Sequence, residues 1–309
     1  MKKIIVVIVS YNSANELKRC IDSVRVNSHD AKLKETIVVI DNCSSDLSVK
    51  VAKSGGALVI KNSKNLGFAS AVNQGLRLGL EGELSDYFLI LNPDTQMKKN
   101  SLVSMVNCFT KNIEAGRLGA VGPKMLNDNG ESTNDGYYMK APSLLTVTLF
   151  YTLLRRRFVN KPFFVDRCYQ EPKLNSSRLV QQIPGACLLT DYDAIRDIGL
   201  LDEDFAIWYE DVEWSYRARR KGFNLWYCAE AEVMHTGGVS FEKWQSLEKT
   251  VTFYVSMKAF FKKSKPLSYV PVLIVLTLNS LILYAKTRDK SNLVFIRKVL
   301  KQKRGVLPS

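Results

Sequence analysis

Three acidic positions and one histidine set the chemistry this chain could perform. Asp94 follows the apolar run Leu89-Ile90-Leu91 and the pair Asn92-Pro93. Pro93 lacks the amide hydrogen that a central strand needs, so the chain turns there and leaves Asp94 at the strand's carboxyl end. Open α/β sheets bind ligands at that edge, and a carboxylate there can hold a divalent cation that grips a diphosphate. The competing reading makes Asp94 a cap of the next helix. Glu210 and Asp211 are adjacent carboxylates; in a cleft, such a pair raises one pKa, which suits proton abstraction near neutral pH. A plainer role competes here too. Acids at the start of this segment, Arg217, Arg219, Arg220 and Lys221 at its end, and Gly222 beyond fit a helix dipole and its termination, and that account covers Glu213 best. His235 ends an apolar segment beside Gly237 and Gly238, where it is either a ligand or a satisfied polar residue; His29, in a polar turn, reads as surface.

The elements that must hold these groups follow from periodicity. Ile4 to Val9 is a β-branched run without alternation, the pattern of a strand buried on both faces of a parallel sheet. Ser10-Tyr11-Asn12 is its exit loop, and Ser13 with Glu16 makes a capping-box pattern before Leu17, Ile21 and Val24 at helical spacing. Thr36 to Ile40 is a second strand ending at Asp41, and Leu58 to Ile60 a third. Gly67, which permits a positive φ or close backbone approach, leads into a helix carrying Ala71, Val72, Leu76 and Leu80. Tyr87 to Leu91 is the fourth strand, Leu102 to Phe109 an amphipathic helix, and Ala120 to Pro123 a short fifth strand expected to stop at its proline. This alternation predicts a three-layer α/β domain with a mostly parallel central sheet. Asn127 to Gln182 is irregular, and its run Leu144 to Leu154 before Arg155-Arg156-Arg157 is either a core helix or a surface that meets a membrane. Ile183 to Thr190 resumes the sheet, and Asp193 to Ile198 is a helix stopped by Gly199.

The chain of 309 residues, 46% of them apolar, can bury a large core. Its net charge of +14 is concentrated: Lys262 to the end carries eleven basic residues against one acid, leaving +4 for everything before it. The six cysteines show no paired metal spacing and suit a reducing compartment as packing residues. The apolar run after Lys2 and Lys3 is too short for a signal peptide. Basic residues in an apolar tail without a recognition module argue against nucleic-acid binding.

Seven segments in order resemble family 2 glycosyltransferases, in particular the rhamnosyltransferase-like branch that builds bacterial surface polysaccharides such as O-antigen: Val7 to Asn12, Val38 to Asp46, Asn65 to Gly75, Leu89 to Thr95, Gly185 to Phe205, Tyr209 to Phe223 and His235 to Ser240. The resemblance implies a GT-A fold over residues 1–240, with a nucleotide-sugar half (1–125) and an acceptor half (126–240). It further implies a nucleotide-diphosphate-sugar donor such as dTDP-rhamnose, a divalent cofactor (Mg²⁺ or Mn²⁺) and inversion at the sugar carbon; a lipid-linked saccharide acceptor is expected instead from the membrane-docking tail of residues 241–309. By the same match Ser10, Tyr11 and Asn12 line the nucleotide pocket, Asp41 accepts a hydrogen bond from the base and Asn73 helps shape the donor pocket. Asp94 is a metal ligand, His235 a second ligand or diphosphate contact, and Asp211 the base, with Glu210 orienting the acceptor or the base. Asn92 stands where the family's metal motif often has aspartate. The processive QxxRW signature is absent around Trp226 and Trp244, so addition of one sugar is expected.

Two other classes compete. A sugar nucleotidyltransferase would open with a glycine-rich phosphate loop, which Val7 to Asn12 lacks. A non-catalytic nucleotide-sugar-binding scaffold of a membrane assembly would have no need of Asp94, Glu210 and Asp211 together. Residues 241–309 read as a helical basic tail. Pro266 to Ala285 has no charged residue and is long enough to span a bilayer. Yet basic flanks on both sides, Asn279 and Pro271 favour a helix lying on, or re-entering, the cytoplasmic face of the inner membrane. A helical tail packed on the domain is the plainer alternative.

Overall fold

The computed structural model describes residues 1–81, 85–112, 116–133, 138, 140–158, 161, 176–237, 246–304 and 307. Cys168, Trp244 and Gly238 to Ser240 of the sequence reading lie outside these residues. Strands β1 (Lys3–Ser10), β2 (Lys34–Asp41), β3 (Leu58–Lys61) and β4 (Tyr87–Leu91) pair in parallel, β1 lying between β2 and β4. Next come β5 (Thr95–Met97), β6 (Leu118–Leu126), β7 (Arg178–Leu179), β8 (Cys187–Asp191) and β9 (Asn224–His235). The order across the sheet is β3-β2-β1-β4-β8-β6-β9-β5, with β7 also on β9. Strands β8, β5 and β7 run antiparallel to their neighbours, and β9 lies parallel to β6.

These directions decide where the site forms. The carboxyl ends of β1, β2, β4 and β9 fall on one edge of the sheet, and antiparallel β8 brings its amino end, with Gly185 just before it, to the same edge. Ser10, Asp41, Asn92 and His235 therefore converge although they are far apart in the chain.

The central strands are apolar without alternation because helices cover the sheet. Val6, Val7, Ile8, Val39, Phe88 and Leu89 are all buried. Helix α1 (Ala14–Asp30) buries Leu17, Cys20, Ile21 and Val24, while α2 (Ser48–Ser54), α3 (Phe68–Glu81) and α4 (Ser101–Asn112) follow their strands. Two local expectations need correction. Ser13 caps α1 by position but makes no side-chain cap; its hydroxyl is 2.8 Å from that of Ser10, so the loop's own network takes the group the capping box would have used. Nor does the strand expected over Ala120 to Pro123, which is β6, stop at its proline. It runs on to Leu126 because its register with β9 shifts between Pro123 and Lys124, and the missing amide falls at that irregularity.

Downstream of β6 lie α5 (Leu144–Phe150), α6 (Arg155–Phe158), α7 (Tyr192–Ile198) and α8 (Glu210–Arg220), then the tail helices α9 (Ser246–Ser264), α10 (Pro266–Thr287) and α11 (Ser291–Lys301). A second core joins Val147 of α5, Phe205 and Tyr209 before α8, Met257, Phe260 and Phe261 of α9, and Val272 and Leu276 of α10. The run after Leu144 is thus a core helix on its Val147 side, although Leu145 remains exposed. Asn279, a polar group inside the apolar α10, accepts a 2.9 Å bond from the Leu153 amide. Among the cysteines, Cys20 and Cys187 pack as expected, whereas Cys43 is exposed and Cys108 and Cys228 meet each other.

Candidate active site

A cavity of about 360 Å³ opens at the shared sheet edge, lined among others by Tyr11, Asn42, Gly67, Asn92, Asp94, Gly185, Trp208, Glu210, Asp211 and His235. Two groups of polar side chains meet on it.

The first group is Asn92, Asp94 and His235. The short β5 places Thr95 opposite His235 in the antiparallel ladder with β9, so the loop after β4 is carried against the end of β9. His235 Nε2 sits 3.1 Å from Asp94 Oδ1 and 3.3 Å from Asn92 Nδ2. The loop is pinned at both ends: the Asn92 amide donates to Ala186 O at 3.0 Å, and the Thr95 hydroxyl donates to Asn92 O at 2.7 Å. A carboxylate and an imidazole at this spacing, both lining the cavity, are a donor set that fits a divalent cation of the Mn²⁺ kind, with the carboxylate alone sufficing for Mg²⁺. Asp94 and His235 are the residues that would hold it.

The second group is Glu210 and Asp211, the first two residues of α8. Trp208 and Tyr209 just before them both have left-handed backbones, with φ of 62° and 69°. Such strain in bulky residues persists only where surroundings impose it. Here Tyr209 is driven into the tail core, where it packs edge-on against Phe253, and Ile207 O accepts a 2.8 Å bond from Ser256 of α9. Asp211 accepts from the Gly185 amide at 2.9 Å and from the Val212 amide at 2.7 Å. Glu210 is buried, and its Oε2 has no hydrogen-bond partner among the described residues. Burial, and then the Asp211 charge, push the Glu210 carboxyl well above the usual carboxylate range. Burial also raises Asp211, while the two backbone amides oppose that rise. The pair is therefore split, with Glu210 retaining its proton to the higher pH.

The remaining sequence-derived residues take different positions. Tyr11 lines the cavity. Asn12 turns away from it, its Oδ1 accepting from the Ser45 amide at 2.8 Å and tying the β1 and β2 exit loops together. Ser10 is buried on Ser13 beneath that loop. Asp41 is fully buried outside the cavity lining; its Oδ2 accepts from the Ser44 amide at 3.1 Å and its Oδ1 has no partner among the described residues. Asn73 is buried outside the cavity lining, where it bonds Leu201 O at 2.9 Å, Glu203 Oε1 at 2.8 Å and the Leu201 amide at 3.0 Å. Glu213 accepts three bonds of 3.0 to 3.3 Å from Arg217, which itself bonds Ile198 O and Leu200 O, so its role is to hold α8 in place.

The glycosyl transferase family 2 model matches residues 5–168, more than half of the chain. The chain belongs to glycosyl transferase family 2. This family 2 glycosyltransferase is 23% identical over 277 residues to the low-salt glycan biosynthesis hexosyltransferase Agl10 of Haloferax volcanii, covering 88% of this chain and 81% of that one. It is 26% identical over 240 residues to the N-acetylglucosaminyl-diphospho-decaprenol L-rhamnosyltransferase of Mycobacterium tuberculosis, covering 74% and 75%. Against the Escherichia coli rhamnosyltransferase WbbL the identity is 23%, over 74% of this chain and 82% of that one. Among solved GT-A glycosyltransferases, GalNAc-T7 with UDP, GalNAc and Mn²⁺ superposes with a TM-score of 0.57 at 16% identity, over 98% of this chain and 55% of that one. The mannosyltransferase PcManGT of Pyrobaculum calidifontis, solved with GDP-Man and Mn²⁺, gives 0.53 at 12% identity, over 97% and 84%. The fold is therefore of the GT-A kind.

Several lining residues of this glycosyltransferase carried no distinct signal in its sequence. Asn42 donates to Gly67 O at 3.1 Å and accepts from the Asn62 amide group at 3.0 Å, a network that only the folded loops create. Gly185 supplies the amide that holds Asp211. Leu307 reaches the cavity from the end of the tail.

Proposed function

We propose that the chain transfers one sugar, with inversion, from a nucleotide-diphosphate donor to a lipid-linked saccharide at a membrane surface. The observation that carries this reading is the meeting of Asp94 and His235 with Glu210 and Asp211 on one cavity at the carboxyl edge of the sheet. A diphosphate leaving group needs positive charge, and an acceptor hydroxyl needs a proton acceptor. A divalent ion such as Mn²⁺ or Mg²⁺, held by Asp94 and His235, supplies the first when bound.

Asp211 supplies the second. Its two backbone hydrogen bonds keep it the more acidic of the pair, and each carboxylate oxygen has a further lone pair for the acceptor hydroxyl. As that hydroxyl oxygen bonds to the anomeric carbon, its proton passes to Asp211, and the bond from that carbon to the diphosphate oxygen breaks with its electron pair going to the diphosphate. Attack from the side opposite the leaving group inverts the centre. Glu210, still protonated, donates a hydrogen bond that orients the acceptor. Tyr11 and the Asn42 loop border the nucleotide.

Two of the relatives are rhamnosyltransferases, which supports a rhamnosyl donor such as dTDP-rhamnose. The decaprenol-diphosphate-linked substrate of the mycobacterial relative supports the acceptor class. Division into a catalytic unit (1–240) and an attaching tail (241–309) on the cytoplasmic face of the inner membrane accounts for α10. That helix buries Val272, Leu276 and Ser280 but leaves Leu267, Val270, Ile274, Leu278 and Leu281 exposed on one side. An apolar stripe of this kind lies in a lipid interface with its opposite face on protein. The basic flank before it is smaller than its sequence suggests, because Lys263 pairs with Asp202 and Asp204 and Lys265 bonds Pro142 O, leaving Lys262 exposed for headgroups.

A thermal-shift panel of nucleotide diphosphates and sugar nucleotides, with and without Mn²⁺, tests the donor class, since a ligand bound only to the native state raises its stability. Stabilisation by one nucleotide class that grows with Mn²⁺ is expected. No shift by any of them would overturn the reading.

A further inference from the structure

Cys108 lies on α4 and Cys228 in β9, 120 residues apart, yet their sulfurs are 2.7 Å from each other. The Glu230 carboxylate joins them: its Oε2 is 3.6 Å from Cys228 Sγ, and the three potential donor atoms all lie within 4.8 Å of one another. This cluster stands apart from the cavity described above, whose lining contains none of the three.

Its architecture is specific. Cys228 pairs with Pro123 and Glu232 with Lys124, so residues 229–231 are extra in the β6–β9 ladder, and Glu230 sits inside that bulge. Bulges re-aim side chains, and this one turns the Glu230 carboxylate toward Cys228. Ser177 then fixes it, accepting from the Ala229 amide at 2.8 Å while its hydroxyl donates to Glu230 Oε2. A carboxylate oriented by an outer hydroxyl is the arrangement that supports a metal ligand. Lys111, one turn along α4 from Cys108, places a positive charge close enough to act on both Cys108 and Glu230. It would offset the surplus negative charge of two thiolates and a carboxylate around a divalent ion.

We propose that Cys108, Cys228 and Glu230 form a site for a soft divalent cation of the Zn²⁺ type, with water in the fourth position, clasping α4 to the bulge of β9. Tetrahedral coordination with Zn–S of about 2.3 Å and Zn–O of about 2.0 Å places sulfur and oxygen about 3.5 Å apart and two sulfurs about 3.8 Å apart. The observed 3.6 Å between Cys228 and Glu230 already has the first spacing. The second requires the half-buried Cys108 side chain to swing outward by about 1 Å. A disulfide would use the sulfurs and leave the ordered Glu230 and Ser177 without a purpose. The site is chemically distinct from Asp94 and His235: thiolates select soft cations, whereas a carboxylate-bearing sugar-nucleotide site takes Mg²⁺ or Mn²⁺.

Co²⁺ titration of the full, reduced, chelator-washed chain tests this through the thiolate-to-metal charge-transfer absorption, with Zn²⁺ binding read by equilibrium dialysis. One equivalent of Zn²⁺ and a thiolate band that Zn²⁺ displaces are expected. Cys108→Ser and Cys228→Ser should remove the band. Glu230→Gln, at an exposed position where folding is not at risk, should keep the band but weaken Zn²⁺ binding about tenfold or more. Asp94→Ala should leave the band unchanged, which separates this site from the donor reading. Absence of the band at saturating Co²⁺, or a band that survives in Cys108→Ser, overturns the proposal, as does a thiol count showing the two cysteines joined as a disulfide in protein washed without reductant.

Discussion

His235 Nε2 and Asp94 Oδ1 are 3.1 Å apart across 141 positions of sequence, and the three-residue strand β5 is what brings them together. The imidazole is a direct partner of the carboxylate, so the ladder and this contact together fix the pair. We predict that Asp94→Ala abolishes the gain in nucleotide-diphosphate affinity that Mn²⁺ confers, while His235→Ala reduces it. Calorimetry with and without Mn²⁺ measures both. An Asp94→Ala protein that keeps its Mn²⁺-dependent gain would remove Asp94 from the ligand set.

Glu210 yields a pH prediction with a definite sign. Its folded-state pKa is raised, by burial first and the Asp211 charge second, so the folded chain binds that proton more tightly than the unfolded chain. The protonated group costs no stability below the unfolded pKa of about 4.3. Above it, stability falls as pH rises toward and through the folded value. Glu210→Gln, which carries no such titration, should therefore melt at a higher temperature than wild type at neutral pH and converge with it near pH 4. Thermal melts across that range check this; a variant less stable at neutral pH than at pH 4, relative to wild type, would show that the ionised carboxylate has a stabilising partner.

Gly67 packs against the segment that leads to Glu210. It has φ +88°, and a Cβ there would lie 2.4 Å from Ala206 O, the same oxygen that accepts from the Phe68 amide at 3.2 Å. Gly67→Ala should cost at least about 1 kcal/mol from the left-handed backbone alone, and the clash with Ala206 should displace the segment leading to Glu210 as well. Denaturant unfolding, paired with donor and acceptor titrations, should register a loss on both sides of the cavity. Normal stability would mean that the loop relaxes freely.

The exposed stripe of α10 predicts lipid binding. Replacement of Leu267, Val270 and Ile274 by serine should leave the melting temperature near that of wild type, since these side chains are 95%, 57% and 53% exposed, and should sharply reduce flotation with anionic vesicles. Flotation unchanged by the triple substitution would mean that another surface docks.

Much of this architecture was legible in the chain itself. Ile4 to Val9 and Tyr87 to Leu91 announced buried parallel strands because their β-branched and apolar residues do not alternate, and Pro93 marked the turn that exposes Asp94. Pro123 misled, since a proline is read as a stop when the bulge that accommodates it depends on a partner strand more than 100 residues away. The capping box at Ser13 failed for a similar reason: the Ser10 hydroxyl competes for the same side chain only after the loop closes. Gly185 carried no sign of its role because its contribution is a backbone amide, and the support that α9 gives to Trp208 and Tyr209 depends on tail residues such as Phe253 that periodicity marks only as apolar. Cysteine spacing could not reveal Cys108 and Cys228 as neighbours, because helix and strand bring them together from opposite ends of a long connection.

The proposed chemistry rests most heavily on Asp211. Single-turnover sugar transfer by Asp211→Asn beside the wild-type chain, with donor affinity measured on the same preparations, is its most direct test. Removal of a general base is expected to slow transfer by about 10²- to 10⁴-fold while donor affinity stays near that of wild type. Transfer by the variant at the wild-type rate would contradict the assignment of Asp211 as the group that takes the acceptor's proton.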